Sequence, residues 1–266
     1  MKLSATVKWG ALFGAALLLS ACGKDTATTN SITVFAAASL NDAVTEIAQA
    51  YTAETGTEVV LNFAGSGSLA KQIMASPQAD VYLSANARWM DEVEEAGLII
   101  DGSRADLLSN QLVVVCMQSA PFQLSSPAEL ASLDFQYLVI GDPAYVPAGQ
   151  YAKGWLEKLS APDGASVWSQ LDGRLSPMPD VRAALKQVSN NGKLVGIVYR
   201  TDYLTEKDQL RELYSVPLGD AAPIRYCVAE IAGADETSGA DFLKFLSTPA
   251  AKSVFERYGF LPVNND

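Results

Sequence analysis

Histidine is absent from all 266 residues of the chain, and cysteine occurs three times. The lack of histidine excludes Ser–His and Cys–His nucleophile systems and any metal site built on imidazole. The segment Gly65-Ser-Gly-Ser68 does not match the Gly-x-Ser-x-Gly pattern of a serine elbow. Catalysis by a carboxylate pair stays open at this point, but nothing singles out one pair among 30 acidic residues.

Basic residues are also few, since 19 Lys and Arg stand against 30 Asp and Glu and give a net charge of −11. Such an acidic chain is a poor partner for nucleic acid, which needs clustered Lys and Arg to neutralise phosphates. An anionic ligand would likewise be repelled by the acidic protein. Its site would have to supply local positive potential without relying on the net charge.

The N-terminus has the features of a targeting segment. Lys2 and Lys8 precede an apolar run of about ten residues (10–19), which is too short to span a bilayer. The run ends in Leu-Ser-Ala-Cys, with the cysteine at Cys22. We therefore predict a lipoprotein signal peptide over residues 1–21 and a lipid on Cys22. An ordinary signal peptide that happens to carry a cysteine is the alternative.

The segment after the predicted cleavage site is polar and rich in threonine, so residues 22–30 are predicted to be a solvated tether. Loss of Lys2 and Lys8 would take the net charge from −11 to −13. These features predict a protein of the cell envelope, anchored to a membrane by lipid and facing the periplasm or the exterior.

Two cysteines, Cys116 and Cys227, remain once Cys22 carries lipid, and both lie in strand-like runs. In an oxidising compartment two cysteines suggest one disulfide. Two free buried thiols are the alternative, because a sequence cannot supply the short Cα separation that a bridge needs.

Strand-like and helical patterns alternate along the chain. Residues 40–51 and 181–188, for example, place apolar side chains at helical spacing after short apolar runs. This alternation predicts an α/β fold with a parallel-rich sheet covered on both faces. The strand-like runs are 32–36, 58–63, 80–83, 137–140 and 194–199.

At four points a small, hydroxyl or capping residue stands where a helix begins: near Ser39, near Ser66, at 146–150 and at 179–181. Each point taken alone is explained by ordinary helix capping. Four together favour a second explanation. Free N–H groups in a first turn bind anions without any charged side chain, and ligands gather at the carboxyl ends of strands in open α/β sheets.

The same segments resemble the periplasmic molybdate-binding proteins of ABC transporters, a branch of the type II solute-binding proteins. The resemblance runs from about residue 32 to the C-terminus. The matching blocks are Val-Phe-Ala-Ala-Ala-Ser-Leu at 34–40, Phe-Ala-Gly-Ser-Gly-Ser-Leu-Ala at 63–70, Ala-Asp-Val-Tyr-Leu-Ser-Ala at 79–85, Gly-Asp-Pro with Val-Pro-Ala-Gly within 141–149, Asp-Val-Arg at 180–182, Gly-Ile-Val-Tyr at 196–199 and Arg-Tyr-Gly-Phe at 257–260.

The resemblance implies a site of neutral hydrogen-bond donors for molybdate or tungstate, and no cofactor or other metal. Gly65 and Gly67 stand where relatives often have serine, which reduces the supply of hydroxyls. The tyrosine among the ligands could instead be a core residue at a strand end. The implied ligands are the hydroxyls and N–H groups of Ser39 and Ser66, the N–H groups of Ala148 and Val181, and the phenol of Tyr199.

The resemblance also implies a two-lobed periplasmic-binding-protein fold of type II, with crossing hinge strands between the lobes. Lobe I would comprise residues 31–112 and 229–266, and lobe II residues 113–228. Cys116 and Cys227 would then lie near the crossings, where a disulfide would tie the hinge strands together.

The implied function is that of a monomeric receptor that is not an enzyme and delivers its anion to the permease of an ABC importer. A receptor for another tetrahedral oxyanion, such as sulfate, is one alternative. An enzyme that acts on a small anion through a carboxylate base is the other.

Overall fold

The computed structural model describes residues 30–233 and 238–263. The predicted signal peptide, the lipid site Cys22 and almost all of the predicted tether lie outside the described residues. Within those residues no helix is long and apolar enough to cross a membrane.

The first sheet has five strands in the order β2-β1-β3-β10-β4. β1 pairs in parallel with β2 and β3, whereas β10 is antiparallel to both of its neighbours. Four strands therefore run in one direction, and β10 alone is reversed. The strands are β1 (Ser31–Ala37), β2 (Glu58–Ala64), β3 (Val81–Ser84), β4 (Ala105–Ser109) and β10 (Arg225–Glu230).

The second sheet repeats this pattern in the order β7-β6-β8-β5-β9. β6 is parallel to β7 and β8, and β5 is antiparallel to β8 and β9. The expected parallel-rich, two-lobed α/β fold is confirmed. The strands are β5 (Leu112–Met117), β6 (Tyr137–Gly141), β7 (Leu175–Met178), β8 (Leu194–Tyr199) and β9 (Leu210–Ser215).

The reversed strand in each sheet is the one that enters from the other lobe. The chain passes from β4 to β5 through residues 110–111, and it returns from β9 to β10 through residues 216–224. The predicted boundary between residues 228 and 229 is therefore too late, because Arg225–Glu230 belongs to the first sheet. The predicted apolar run 224–229 largely coincides with this strand, and the residues before it form the crossing.

Nine α-helices are found in the described residues, and they cover the sheets. Where the sequence showed helical spacing, the apolar face is buried: α1 buries Val44, Ile47 and Tyr51 against the first sheet. The helices of the first lobe are α1 (Asn41–Thr55), α2 (Ser66–Ala75), α3 (Ala87–Glu95), α8 (Ser238–Leu246) and α9 (Pro249–Arg257). Those of the second are α4 (Pro147–Lys158), α5 (Val167–Gln170), α6 (Val181–Ser189) and α7 (Arg200–Thr205).

Met74 follows Leu69 and Ile73 at helical spacing in α2, but it is 36% exposed whereas those two residues are buried. The sequence Ser-Pro-Ala-Glu at 126–129 has the pattern of a helix start, with serine as N-cap and proline at the first position, and it begins a short 3-10 helix (Pro127–Ala131). The Ser126 hydroxyl caps this helix by accepting from the N–H of Ala128 at 3.4 Å. Gly259 follows α9 with φ of 88°, the left-handed conformation that is common after a helix.

The disulfide alternative for Cys116 and Cys227 is overturned, because both thiols are free and buried. Cys116 lies in β5 of the second sheet and Cys227 in β10 of the first, so each packs in a different lobe. The Cys227 thiol lies 3.2 Å from a carboxylate oxygen of Asp106. Burial, followed by this carboxylate, raises the pKa of Cys227 to about 12, which makes it a poor nucleophile.

Candidate ligand-binding site

The five residues predicted to bind the ligand all line one small cavity between the two sheets. Every one of the five is at most 3% exposed. Ser39 and Ser66 reach it from the first lobe, and Ala148, Val181 and Tyr199 reach it from the second. Segments far apart in the sequence are thus brought together. The full lining is residues 37–39, 64–66, 85, 146–148, 180–181 and 199.

Neither serine caps its own helix, which removes the alternative explanation for these two residues. Ser39 lies inside a 3-10 turn (Ala38–Leu40) before α1, and its hydroxyl is 2.8 Å from that of Tyr226. Ser66 is the first residue of α2, and its hydroxyl accepts the N–H of Ala85 at 3.0 Å. Tyr82 donates to the carbonyl of Ser66 at 2.8 Å and so positions the backbone there.

Ala148 and Val181 can contribute only backbone groups. Ala148 lies in the first turn of α4 and Val181 opens α6, and first-turn N–H groups have no acceptor within their own helix. Both helices are long enough to have a positive N-terminal end directed at the cavity. α6 is in addition capped by Asp180, whose carboxylate accepts the N–H of Ala183 at 2.8 Å. At the start of α6, Asp180 therefore caps the helix while Val181 lines the cavity.

Tyr199 ends β8, and its hydroxyl is buried without a hydrogen-bond partner among the described residues. A buried hydroxyl without a partner is costly, so this one is available for a ligand in the cavity. Burial, followed by the neighbouring Tyr226, raises the pKa of Tyr199 well above its usual range. The phenol therefore keeps its proton and acts as a donor.

No lysine or arginine lines the cavity, and Asp180 is the one acidic residue there. Because the Asp180 carboxylate accepts from its own helix, the other polar side chains of the lining are the hydroxyls of Ser39, Ser66 and Tyr199. Such a site can bind an anion by dipoles alone, as a protein of net charge −11 requires.

A larger cavity, open to solvent, lies on the hinge side of the lobes. It is mostly apolar, and none of the five predicted residues lines it. The smaller cavity is therefore the candidate site. The hinge cavity is lined by residues 109–112, 216–219, 221–225 and 261–263.

A family model described as bacterial extracellular solute-binding protein matches residues 32–261. This chain belongs to that family. The match covers both lobes and every residue of the candidate site.

Two relatives match the solute-binding protein over nearly its whole length. The molybdate-binding protein ModA of Escherichia coli (strain K12) is 39% identical over 258 residues, which are 95% of this chain and 98% of the relative. ModA of Haemophilus influenzae (strain ATCC 51907 / DSM 11121 / KW20 / Rd) is 36% identical over 249 residues, 92% and 95% of the two chains. The solved periplasmic molybdate-binding protein of Azotobacter vinelandii shares the fold, with a TM-score of 0.76 at 18% identity, covering 88% and 100%.

The lobes of this solute-binding protein meet directly around the cavity. The N–H of Gly67 donates to the carbonyl of Tyr145 at 2.9 Å, and the Asn86 amide donates to Gln150 at 2.7 Å. The ammonium of Lys71 lies 3.9 Å from the centroid of the Tyr145 ring. Periplasmic binding proteins close around their ligands by hinge motion, and these contacts define a closed arrangement.

A charged contact also joins the lobes, although sequence analysis did not assign it a role. The guanidinium of Arg182 lies 2.6 Å from Asp42 in the first lobe and 2.5 Å from Asp202 in the second. Asp202 is fully buried, and burial raises its pKa to about 6 although Arg182 pulls it down. Arg182 follows Val181 in the matched Asp-Val-Arg block, but its two partners lie 140 and 20 residues away.

Tyr226, whose hydroxyl is hydrogen-bonded to that of Ser39, was also not predicted from the sequence. Its ring is 1% exposed in β10, in a run that sequence analysis considered only for its neighbour Cys227. Its hydroxyl accepts from the amide of Asn110 at 3.1 Å, within the first crossing between the lobes. No sequence signal connects Tyr226 with Ser39, which is 187 positions away.

Proposed function

We propose that this protein is the molybdate receptor of an ABC importer and that tungstate binds the same site. The observation that carries the proposal is the closed cavity lined by the Ser39, Ser66 and Tyr199 hydroxyls and by the Ala148 and Val181 N–H groups, with no cationic side chain. A fully deprotonated tetrahedral dianion offers only acceptors, so it matches an all-donor site. Relatives at 39% and 36% identity are named as molybdate-binding proteins, which supports this choice among oxyanions.

The mechanism follows from the two lobes. The anion first meets donors of one lobe, closure adds those of the other, and the closed form docks on the permease and releases its cargo. We propose that the protein acts as a monomer, is not an enzyme, and is held at the membrane by lipid on Cys22. The signal sequence before Cys22 supports the anchor.

Thermal unfolding with a panel of anions tests the ligand. Molybdate or tungstate at a hundredfold excess over Kd should stabilise the native state by about 2.7 kcal/mol, and so raise Tm by roughly 5–10 °C. Sulfate at the same concentration should leave Tm unchanged, because the smaller anion leaves some donors out of reach. A larger response to sulfate would support the alternative receptor. Turnover of a bound anion would support the alternative enzyme.

Removing single hydroxyls tests the site. Ser39→Ala and Tyr199→Phe should each weaken molybdate binding by at least about tenfold in isothermal titration, because each removes a hydrogen bond to a charged ligand. The apo protein should remain folded. Tyr258→Phe is the matched control, since that phenol bonds Glu46 at 3.1 Å, and neither residue lines the cavity. Unchanged affinity in both site variants would rule these residues out as ligands.

A further inference from the structure

The hydroxyl of a serine can donate or accept, so a site that needs donors must control where its protons point. At Ser66 this control is simple, because the N–H of Ala85 occupies the hydroxyl oxygen as a donor at 3.0 Å. The Ser66 proton is then free for the cavity. At Ser39 the neighbour is another hydroxyl, that of Tyr226 at 2.8 Å, and distance alone does not say which of the two donates.

Asn110 decides the direction. Its side-chain oxygen accepts the N–H of Gln111 at 2.8 Å, and since a backbone N–H can only donate, this contact identifies the other end of the amide as NH₂. That NH₂ donates to the hydroxyl of Thr201 at 2.9 Å and to that of Tyr226 at 3.1 Å. Tyr226 therefore accepts from Asn110, and its own proton is free to be donated to the Ser39 hydroxyl.

We propose that Tyr226, directed by Asn110, is a positioning residue that makes Ser39 a hydrogen-bond donor to the oxyanion. Ser39 accepts from Tyr226 on the side away from the cavity, and its own proton points to the ligand. This inference rests on the proposed function and adds a cause of selectivity to it. An oxyanion that keeps a proton, such as hydrogen phosphate, needs one acceptor, and both serines are directed to be donors.

The burial of this chain of side chains supports the role. Ser39, Asn110, Thr201 and Tyr226 are each at most 3% exposed, so water does not compete for their hydrogen bonds. Tyr226 does not line the cavity, and it acts on the ligand only through Ser39. These hydrogen-bonded side chains extend from the first lobe through Asn110 in the crossing to Thr201 in α7 of the second lobe. The network therefore has members in both lobes.

A double-mutant cycle with sodium molybdate tests the proposal. Tyr226→Phe should weaken molybdate binding about tenfold in the wild-type background. In the Ser39→Ala background the same change should alter Kd by less than about twofold, because the hydroxyl that Tyr226 directs is absent. Equal losses in both backgrounds would overturn the proposal, since they would show that Tyr226 acts by packing alone. Tyr258→Phe serves as the control and should have no effect in either background.

A second readout is selectivity. Without the Tyr226 hydroxyl, Ser39 can turn and accept, so the ratio of the molybdate affinity to the phosphate affinity should fall in Tyr226→Phe. An unchanged ratio would count against the proposal. If Tyr226→Phe does not fold, Asn110→Ala replaces it and should show the same dependence on Ser39.

The outcomes separate this proposal from the proposed function. Tight molybdate binding by the wild-type protein with an additive cycle overturns the positioning role alone. If the wild type responds to sulfate and not to molybdate, the molybdate assignment fails, and the same cycle is measured with sodium sulfate. If neither anion binds, both proposals fall together.

Discussion

Replacing Arg182 with methionine is expected to lower the free energy of unfolding by about 3 kcal/mol, because it leaves the carboxylate of Asp202 buried without its cation. Methionine keeps most of the aliphatic volume, so the effect reports the lost charge. The second oxygen of Asp202 already makes no hydrogen bond among the described residues. Urea unfolding of the apo protein measures the loss.

The decrease in the free energy of unfolding caused by Arg182→Met should be smaller at acidic pH. Burial raises the pKa of Asp202 in the folded protein to about 6, and removal of Arg182 raises it further, because the arginine is what lowers it. A folded carboxyl with a raised pKa takes up its proton before the unfolded chain does, so stability rises as pH falls from the folded pKa towards about 4. The difference in Tm between wild type and Arg182→Met should therefore be smaller at about pH 5 than at about pH 8.

Two further variants separate the roles of Arg182. Adding Asp202→Asn to Arg182→Met removes the unpaired charge and should restore most of the stability. Asp42→Asn removes the ion pair of Arg182 with the first lobe and leaves its pair with Asp202 in place. The Arg182 and Asp42 side chains are 26% and 38% exposed. The substitution should leave apo stability nearly unchanged and weaken molybdate binding by up to about fivefold, the value of one exposed ion pair. A loss of stability in Arg182→Met that does not change with pH would contradict the role given to Asp202.

The predictable part of this molecule is what repeats locally. Alternating strand and helix patterns predicted a parallel-rich α/β fold, although β4, β7 and β9 were not predicted and the two lobes came from the family resemblance. The four helix starts marked segments that meet at the cavity. These residues were predictable because each lies where a strand gives way to a helix, and in an α/β sheet those points converge at one edge. The family resemblance then selected individual residues such as Tyr199, which by its local pattern is equally a core residue.

The unpredicted part depends on contacts between distant segments. Ser39 does not cap a helix, and its hydroxyl lies 2.8 Å from that of Tyr226, a partner that nothing near Ser39 in the sequence indicates. The same holds for Arg182, whose residue type is compatible with a solvated helix face. Cys116 and Cys227 look alike in sequence, as cysteines in apolar strands, but their strands join different sheets. In all three cases the surroundings of the residue are determined by contacts with distant segments and not by local sequence propensity.

A methyl group at Gly149 is expected to have the largest effect of any single carbon added to the site. In α4 a Cβ at this position would lie 1.8 Å from the carbonyl oxygen of Gly141 and 3.1 Å from the nitrogen of Pro143. Both obstacles are backbone at the end of β6, so no side-chain rotation relieves them. Gly149→Ala should therefore move the first turn of α4 away from the sheet and cost more than about 3 kcal/mol.

Gly154→Ala provides the matched control, because it makes the same change in the same helix where a Cβ meets nothing within 4 Å. Alanine there should stabilise the protein by about 0.5–1 kcal/mol through helix propensity alone. Urea unfolding should thus move in opposite directions for the two variants. Similar stability of both would contradict the close packing of α4 on β6.

The same displacement should also remove ligand binding, because the N–H of Ala148 is carried by the turn that Gly149 holds in place. At a temperature where Gly149→Ala is still folded by circular dichroism, molybdate should bind at least about tenfold more weakly than in wild type. Gly154→Ala should keep wild-type affinity. Full affinity in folded Gly149→Ala would mean that Ala148 is not a ligand. The glycine is required there because the helix can direct its N-terminal end at the cavity only by resting on the backbone of the neighbouring strand.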